Sequence, residues 1–191
     1  MIHILLGYGS SLLRGSNILK IIWVLIIGVF ILNIIFKSNR NEEAFLFAAY
    51  ISAAEVFIRM SKGMILYETG KYSVILFLLL GIFVGKFKQK FSISLAFYLL
   101  LLLLGIVFTR VPEGEYIRKA IAFNLSGPFV LGIAGLYFYK RSITKENLMN
   151  ALFFMILPLL SMVTYLYFKT PDLKDIVFGG VANYDTSGGF G

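Results

Sequence analysis

Between Ile18 and Phe36 the chain reads "ILKIIWVLIIGVFILNIIF", nineteen residues of which only Lys20 is charged. A helix rises about 1.5 Å per residue and the hydrocarbon core of a bilayer is about 30 Å thick, so about 20 apolar residues in a row suffice to cross it. Lys20 stands close to the end of the run, where its long stem lets the ammonium snorkel toward headgroups. A segment that is apolar on every side of the helix finds its solvent in lipid, and this run therefore reads as a transmembrane span.

The same ruler finds further segments. Ala44 to Ile58 is short, fifteen residues, and contains Glu55 with Arg59 directly after it. Tyr72 to Phe87, Phe91 to Thr109, Ala120 to Tyr139 and Leu148 to Phe168 complete the set. The expected fold is all-α, a polytopic transmembrane helix bundle of about six spans over residues 18–168, forming one domain. Residues 1–17 have little basic n-region and no A-x-A-like cleavage site, so they read as an interfacial arm or partial helix. After Lys169 and Thr170 the apolar pattern stops, and residues 169–191 read as a glycine-rich extracytoplasmic tail or loop. Lys and Arg divide almost evenly among the segments between spans. The two short basic loops, "KFKQK" at 86–90 and "YKRSITKEN" at 139–147, decide the orientation and place themselves in the cytoplasm. Arg59, Arg110, Arg118 and the tail then fall on the outer side.

Composition narrows the chemistry. Hydrophobic residues make up 59% and charged ones 15%, against about a quarter charged in soluble domains. There is no cysteine and the single histidine is His3, which excludes thiolate metal sites and cysteine nucleophiles and argues against haem or histidine metal clusters. No cofactor and no metal is expected. The net charge of +8 is spread over every interhelical loop instead of forming one basic stripe, so anionic lipid or phosphate is a better partner than nucleic acid.

Two places carry polar chemistry. Glu55 and Arg59 are spaced i, i+4 with the acid first, the favourable order for a pair on one helix face. Ionisable groups near hydrocarbon are expensive. Either Arg59 sits at the interface and Glu55 neutralises it, or Arg59 faces a cavity and binds an anionic substrate while Glu55 orients it. The second place is "RKAIAFNLSGPF", 118–129, where Asn124, Ser126, Gly127 and Pro128 interrupt an apolar span. Pro128 removes a helical hydrogen bond, and backbone groups freed within a membrane are satisfied by protein or by cavity water. The stretch is either an ordinary proline kink or the wall of a site. Arg118 and Lys119 precede it and suit phosphate oxygens, or serve as interfacial anchors. Gly81 and Gly85 form a GxxxG, a packing device.

"FNLSGP" at 123–128, then a sixth span, then "NYDTSGGFG" at 183–191, together with "YETGKYSVILFLLLG" at 67–81, resembles the N-terminal half of bacterial O-antigen ligase and polymerase membrane proteins, particularly those of Bacteroidetes-type bacteria. The likeness runs from about Ala44 to Gly191. It implies a multi-pass protein of the bacterial inner membrane, a glycosyltransferase acting on undecaprenyl-diphosphate-linked glycan at the periplasmic face. The acceptor would be a lipid A core or a second lipid-linked glycan. By that resemblance Arg59, Arg118, Lys119 and the tail residues Ser187, Gly188 and Gly189 become candidates for the diphosphate region. Asn124 and Ser126 would shape the cavity, and Glu55 would hold Arg59. Cations can stabilise a departing pyrophosphate without a metal. The family continues past the point where this sequence stops, into further spans and a loop with additional Arg and His residues, so the chain reads as the N-terminal portion of such a protein. The alternatives are a transporter or flippase-like protein for a lipid-linked or anionic substrate, and a structural membrane scaffold.

Overall fold

Ser16 opens the first long helix, its hydroxyl accepting a hydrogen bond from the Leu19 amide at 3.4 Å. Such a side-chain cap satisfies one of the amides that a helix start leaves without a partner. In the computed structural model, which describes residues 1–66, 68–85, 92–109 and 117–169, the described residues form helices and no strand. The side chains of 117–120 and 123 are likewise outside the description. The helices are α1 (Ile2–Leu12), α2 (Asn17–Lys37), α3 (Glu43–Met60), α4 (Thr69–Val84), α5 (Ile93–Phe108), α6 (Ile117–Phe138) and α7 (Lys145–Phe168). The N-terminal arm is thus a helix of its own, and the six expected segments each overlap one of the others.

Local chemistry sets the boundaries. Ser92 caps α5 through the Leu95 amide at 3.4 Å, and Thr144 caps α7 through the Asn147 amide at 3.1 Å, with Glu146 in the first turn of α7. Ser38, Asn39 and Glu42 all take positive φ, between 49° and 59°, and fold the chain sharply from α2 into α3. Pro128 and Pro158 both lie inside helices. α6 runs through Pro128 without ending, so the expected break is an internal proline in a continuous helix; the carbonyl of Pro128 accepts from the Tyr98 hydroxyl at 3.4 Å.

α3 occupies the centre. It packs against α7 and α4, with α2 across it and α4; α1 lies on α7, α6 on α4 and α5 on α6. Ala44, Ala48, Ile51, Ala54, Phe57 and Ile58 of α3 are buried. Its small residues let neighbouring helices approach closely, the device that drives association where lipid removes the hydrophobic incentive. Aromatic rings fill the remaining space. Phe30 stacks on Phe47 with ring centroids 4.2 Å apart, and Trp23 meets Phe57 edge-on at 5.9 Å. Gly81 admits the Tyr137 ring, because a Cβ there would stand 2.7 Å from it.

The exterior is the reverse of a soluble protein's. Val24, Leu25, Val29 and Leu32 of α2, Leu100, Leu101, Leu103 and Leu104 of α5, and Phe153, Ile156 and Val163 of α7 are all exposed. Meanwhile Asn39, Glu42, Glu43 and Glu68 are buried. α2 and α7 are each long and apolar enough to cross a bilayer, and only 17% and 22% of those stretches are buried, whereas the core helix of a soluble domain is mostly covered. Contiguous apolar surface on this scale marks contact with a membrane. α4, α5 and the 124–138 part of α6 are apolar but shorter.

Candidate functional site

Two polar clusters lie at opposite ends of α3. At its C-terminal end, Glu55 and Arg59 meet as their i, i+4 spacing predicts, with Arg59 Nη2 2.7 Å from Glu55 Oε1. Gly70, in the first turn of α4, makes room for this pair, since a Cβ there would stand 2.9 Å from Glu55 Cγ. The same Nη2 also lies 3.1 Å from Oε2 of Glu68, the N-cap residue of α4. Lys71 Nζ reaches that same Oε2 at 2.9 Å and donates onward to Ser126 Oγ on α6 at 3.3 Å. One chain of contacts therefore runs from α3 through the start of α4 to the middle of α6.

Burial is uneven along it. The side chains of Arg59, Glu55 and Lys71 are 19%, 22% and 27% exposed, whereas Glu68 is fully buried. Its second oxygen, Oε1, has no hydrogen-bond partner among the described residues. A buried carboxylate oxygen left unpaired costs about 1–3 kcal/mol, more for a charged group, so it calls for a reason. Lys71 donates to Ser126 while ion-paired to Glu68. In this contact the hydroxyl is the acceptor.

Ser126 also lines a cavity of about 390 Å³ between α4, α5 and α6. Its other walls are mainly apolar, including Ile75, Leu103, Leu125 and Phe129, with Tyr72 at the α4 side. The arrangement is amphipathic: cations and a hydroxyl at one place, a mainly apolar chamber adjoining it. It suits a ligand with an anionic head and a hydrocarbon tail.

The sequence-derived residues fare differently. Arg59, Glu55 and Ser126 belong to one connected cluster. Asn124 is exposed and is not part of the cavity wall. The side chains of Arg118 and Lys119, and the whole of Ser187, Gly188 and Gly189, lie outside the described residues. Sequence reasoning missed Glu68 and Lys71. The available signal was "ETGK", an acid and a base three residues apart at the entrance to an apolar span, on the same side of the bundle as Arg59.

At the other end of α3, Glu42 forms an ion pair with Arg141 at 2.7 Å and accepts a hydrogen bond from the Tyr137 hydroxyl. Asn39 donates to that hydroxyl at 3.1 Å and to the Gly81 carbonyl at 3.3 Å, and its Oδ1 accepts from the Ala44 amide at 2.9 Å. The Arg141 guanidinium lies 4.0 Å from the Tyr137 ring centroid. This cluster ties the α2–α3 turn to the end of α6 as a clasp. Among the described residues no group of three His, Cys, Asp or Glu side chains is placed to hold a metal ion. No protein-family model, no curated protein and no solved structure matches the chain.

Proposed function

We propose that this chain is the substrate-binding part of a multi-pass membrane glycosyltransferase of the O-antigen ligase or polymerase type, acting on undecaprenyl-diphosphate-linked glycan. The observation that carries the reading is the position of Ser126, which both accepts from Lys71 and lines the apolar cavity. In this reading the diphosphate lies against Arg59 and Lys71, and the first part of the isoprenoid enters the chamber between α4, α5 and α6. Charge-assisted contacts to phosphate are stronger than neutral hydrogen bonds, and they gain further where water is excluded. The spans would be α2 to α7 in a bacterial inner membrane, with the Arg59 end and the 169–191 tail periplasmic. The acceptor is a lipid A core or a second lipid-linked glycan.

Deleting the gene in its host and resolving surface polysaccharide on a gel tests this function. Loss of O-chains with an intact core supports ligation, and chains of single repeats support polymerisation. An unchanged ladder refutes both. Complementation with Arg59→Ala or Lys71→Gln is expected to fail, while Asn124→Ala is expected to restore the ladder.

A further inference from the structure

Glu68 already occupies the space between the two cations that the proposed function assigns to the headgroup. Resting on that assignment, we infer that Glu68 is a displaceable counter-anion: an incoming lipid-linked diphosphate binds by exchanging phosphate for the Glu68 carboxylate between Arg59 and Lys71.

The pairing is poorly made for permanence. Both cations converge on Oε2, at 3.1 and 2.9 Å, while Oε1 is sealed from solvent with no partner among the described residues. Arg–carboxylate pairs are frequently bidentate, and this one engages a single oxygen of Glu68. Electrostatics points the same way. The Glu68 carboxylate already sets a negative charge between Arg59 and Lys71, so an anion entering with Glu68 in place would put a second negative charge directly beside it. Like charges at such distances repel strongly where water is scarce.

The surroundings allow the carboxylate to leave without dismantling the site. Glu68 is the N-cap of α4, at the end of the α3–α4 connection, so its side chain can turn without breaking a helical ladder. The backbone next to it is pinned independently: Thr69 Oγ1 accepts from the Ile65 and Leu66 amides at 3.1 and 2.8 Å. Glu55 holds Arg59 at 2.7 Å, and Ser126 holds Lys71 at 3.3 Å. Both cations thus keep their positions when Glu68 departs.

The test uses the full chain in phosphatidylcholine nanodiscs, titrated with inorganic pyrophosphate by calorimetry, with undecaprenyl diphosphate as a competitor placed in the disc. Glu68→Gln, which keeps the shape and removes the charge, is expected to bind pyrophosphate about tenfold more tightly than wild type, the equivalent of about 1.4 kcal/mol. Adding Lys71→Gln is expected to abolish the gain. Equal or weaker binding by Glu68→Gln overturns the exchange while leaving an anion site in place. If neither protein binds pyrophosphate or the lipid, the anion site itself is refuted and the inference falls with it. Pyrophosphate binding that the lipid fails to compete overturns the assignment to a lipid headgroup. Should Glu68→Gln not purify as a monodisperse protein, Glu68→Asp draws the carboxylate back by one methylene. It is then expected to tighten binding about threefold, and no tightening overturns the exchange.

Discussion

Arg141→Met removes one charge from the clasp at the start of α3, and its cost follows from how little of the pair touches solvent. The Arg141 and Glu42 side chains are 6% and 5% exposed, and their contact is 2.7 Å. Methionine keeps much of the arginine stem but removes the guanidinium that lies over the Tyr137 ring. The larger change is that Glu42 stays buried with the Tyr137 hydroxyl as its donor and without the Arg141 countercharge. Breaking a buried pair on one side costs about 3–5 kcal/mol, because the remaining ion is neither hydrated nor neutralised. Replacing both partners, Glu42→Gln with Arg141→Met, removes the orphaned charge, and such neutral replacements are often near neutral in stability. The double variant is therefore expected to be more stable than the sum of the singles by about 2–3 kcal/mol. Reversible unfolding in mixed micelles by titration with denaturing detergent measures all four corners of the cycle. If Arg141→Met lies within about 0.5 kcal/mol of wild type, or the two changes simply add, the clasp is not a coupled buried pair.

Three further outcomes follow from the same geometry. The chain has no cysteine, so single-cysteine labelling has no background: with a membrane-impermeant maleimide on intact spheroplasts, exposed Lys62→Cys is expected to react. Exposed Lys140→Cys is expected to react only after permeabilisation; the reverse pattern inverts the orientation. Gly70→Val brings a branched side chain onto Glu55 and is expected to cost about 1–3 kcal/mol by overpacking, to loosen Arg59 and to lower pyrophosphate affinity; unchanged binding by a folded variant refutes the role given to Gly70. Phe77→Ala empties a fully buried site in the aromatic core and is expected to destabilise by about 3–5 kcal/mol in the same unfolding assay, whereas a loss below about 1 kcal/mol contradicts the packing described.

Hydropathy located the helices well and ranked them poorly. Ala44 to Ile58 looked the weakest span because it is short and charged, yet α3 is the centre of the bundle. In a bilayer the greasiest helix is the one that faces lipid, and the inner helix can be richer in alanine, serine and charge. α5 illustrates the converse, with only Leu99 buried along its length. The Glu55–Arg59 pair was legible because helix spacing alone brings the two together. Glu68 and Lys71 were not, since their meeting with Arg59 depends on how α4 starts against the end of α3, a tertiary fact. Ser126 and Asn124, two residues apart on one helix, point to different sides. Composition suggested both, and only the packing of α6 on α4 separates them. The clasp was invisible for the same reason: it joins the α2–α3 turn to residues near the end of α6 about a hundred positions later.

The central claim is that Arg59, Lys71 and the chamber beside Ser126 hold one lipid-linked diphosphate. Native mass spectrometry of the full chain released from nanodiscs containing phosphatidylglycerol and undecaprenyl diphosphate tests it directly. One undecaprenyl diphosphate is expected to stay bound to wild type in preference to phosphatidylglycerol and to be lost from Arg59→Ala/Lys71→Gln. Retention of the lipid by that double variant, or no preference for it in wild type, would contradict the account.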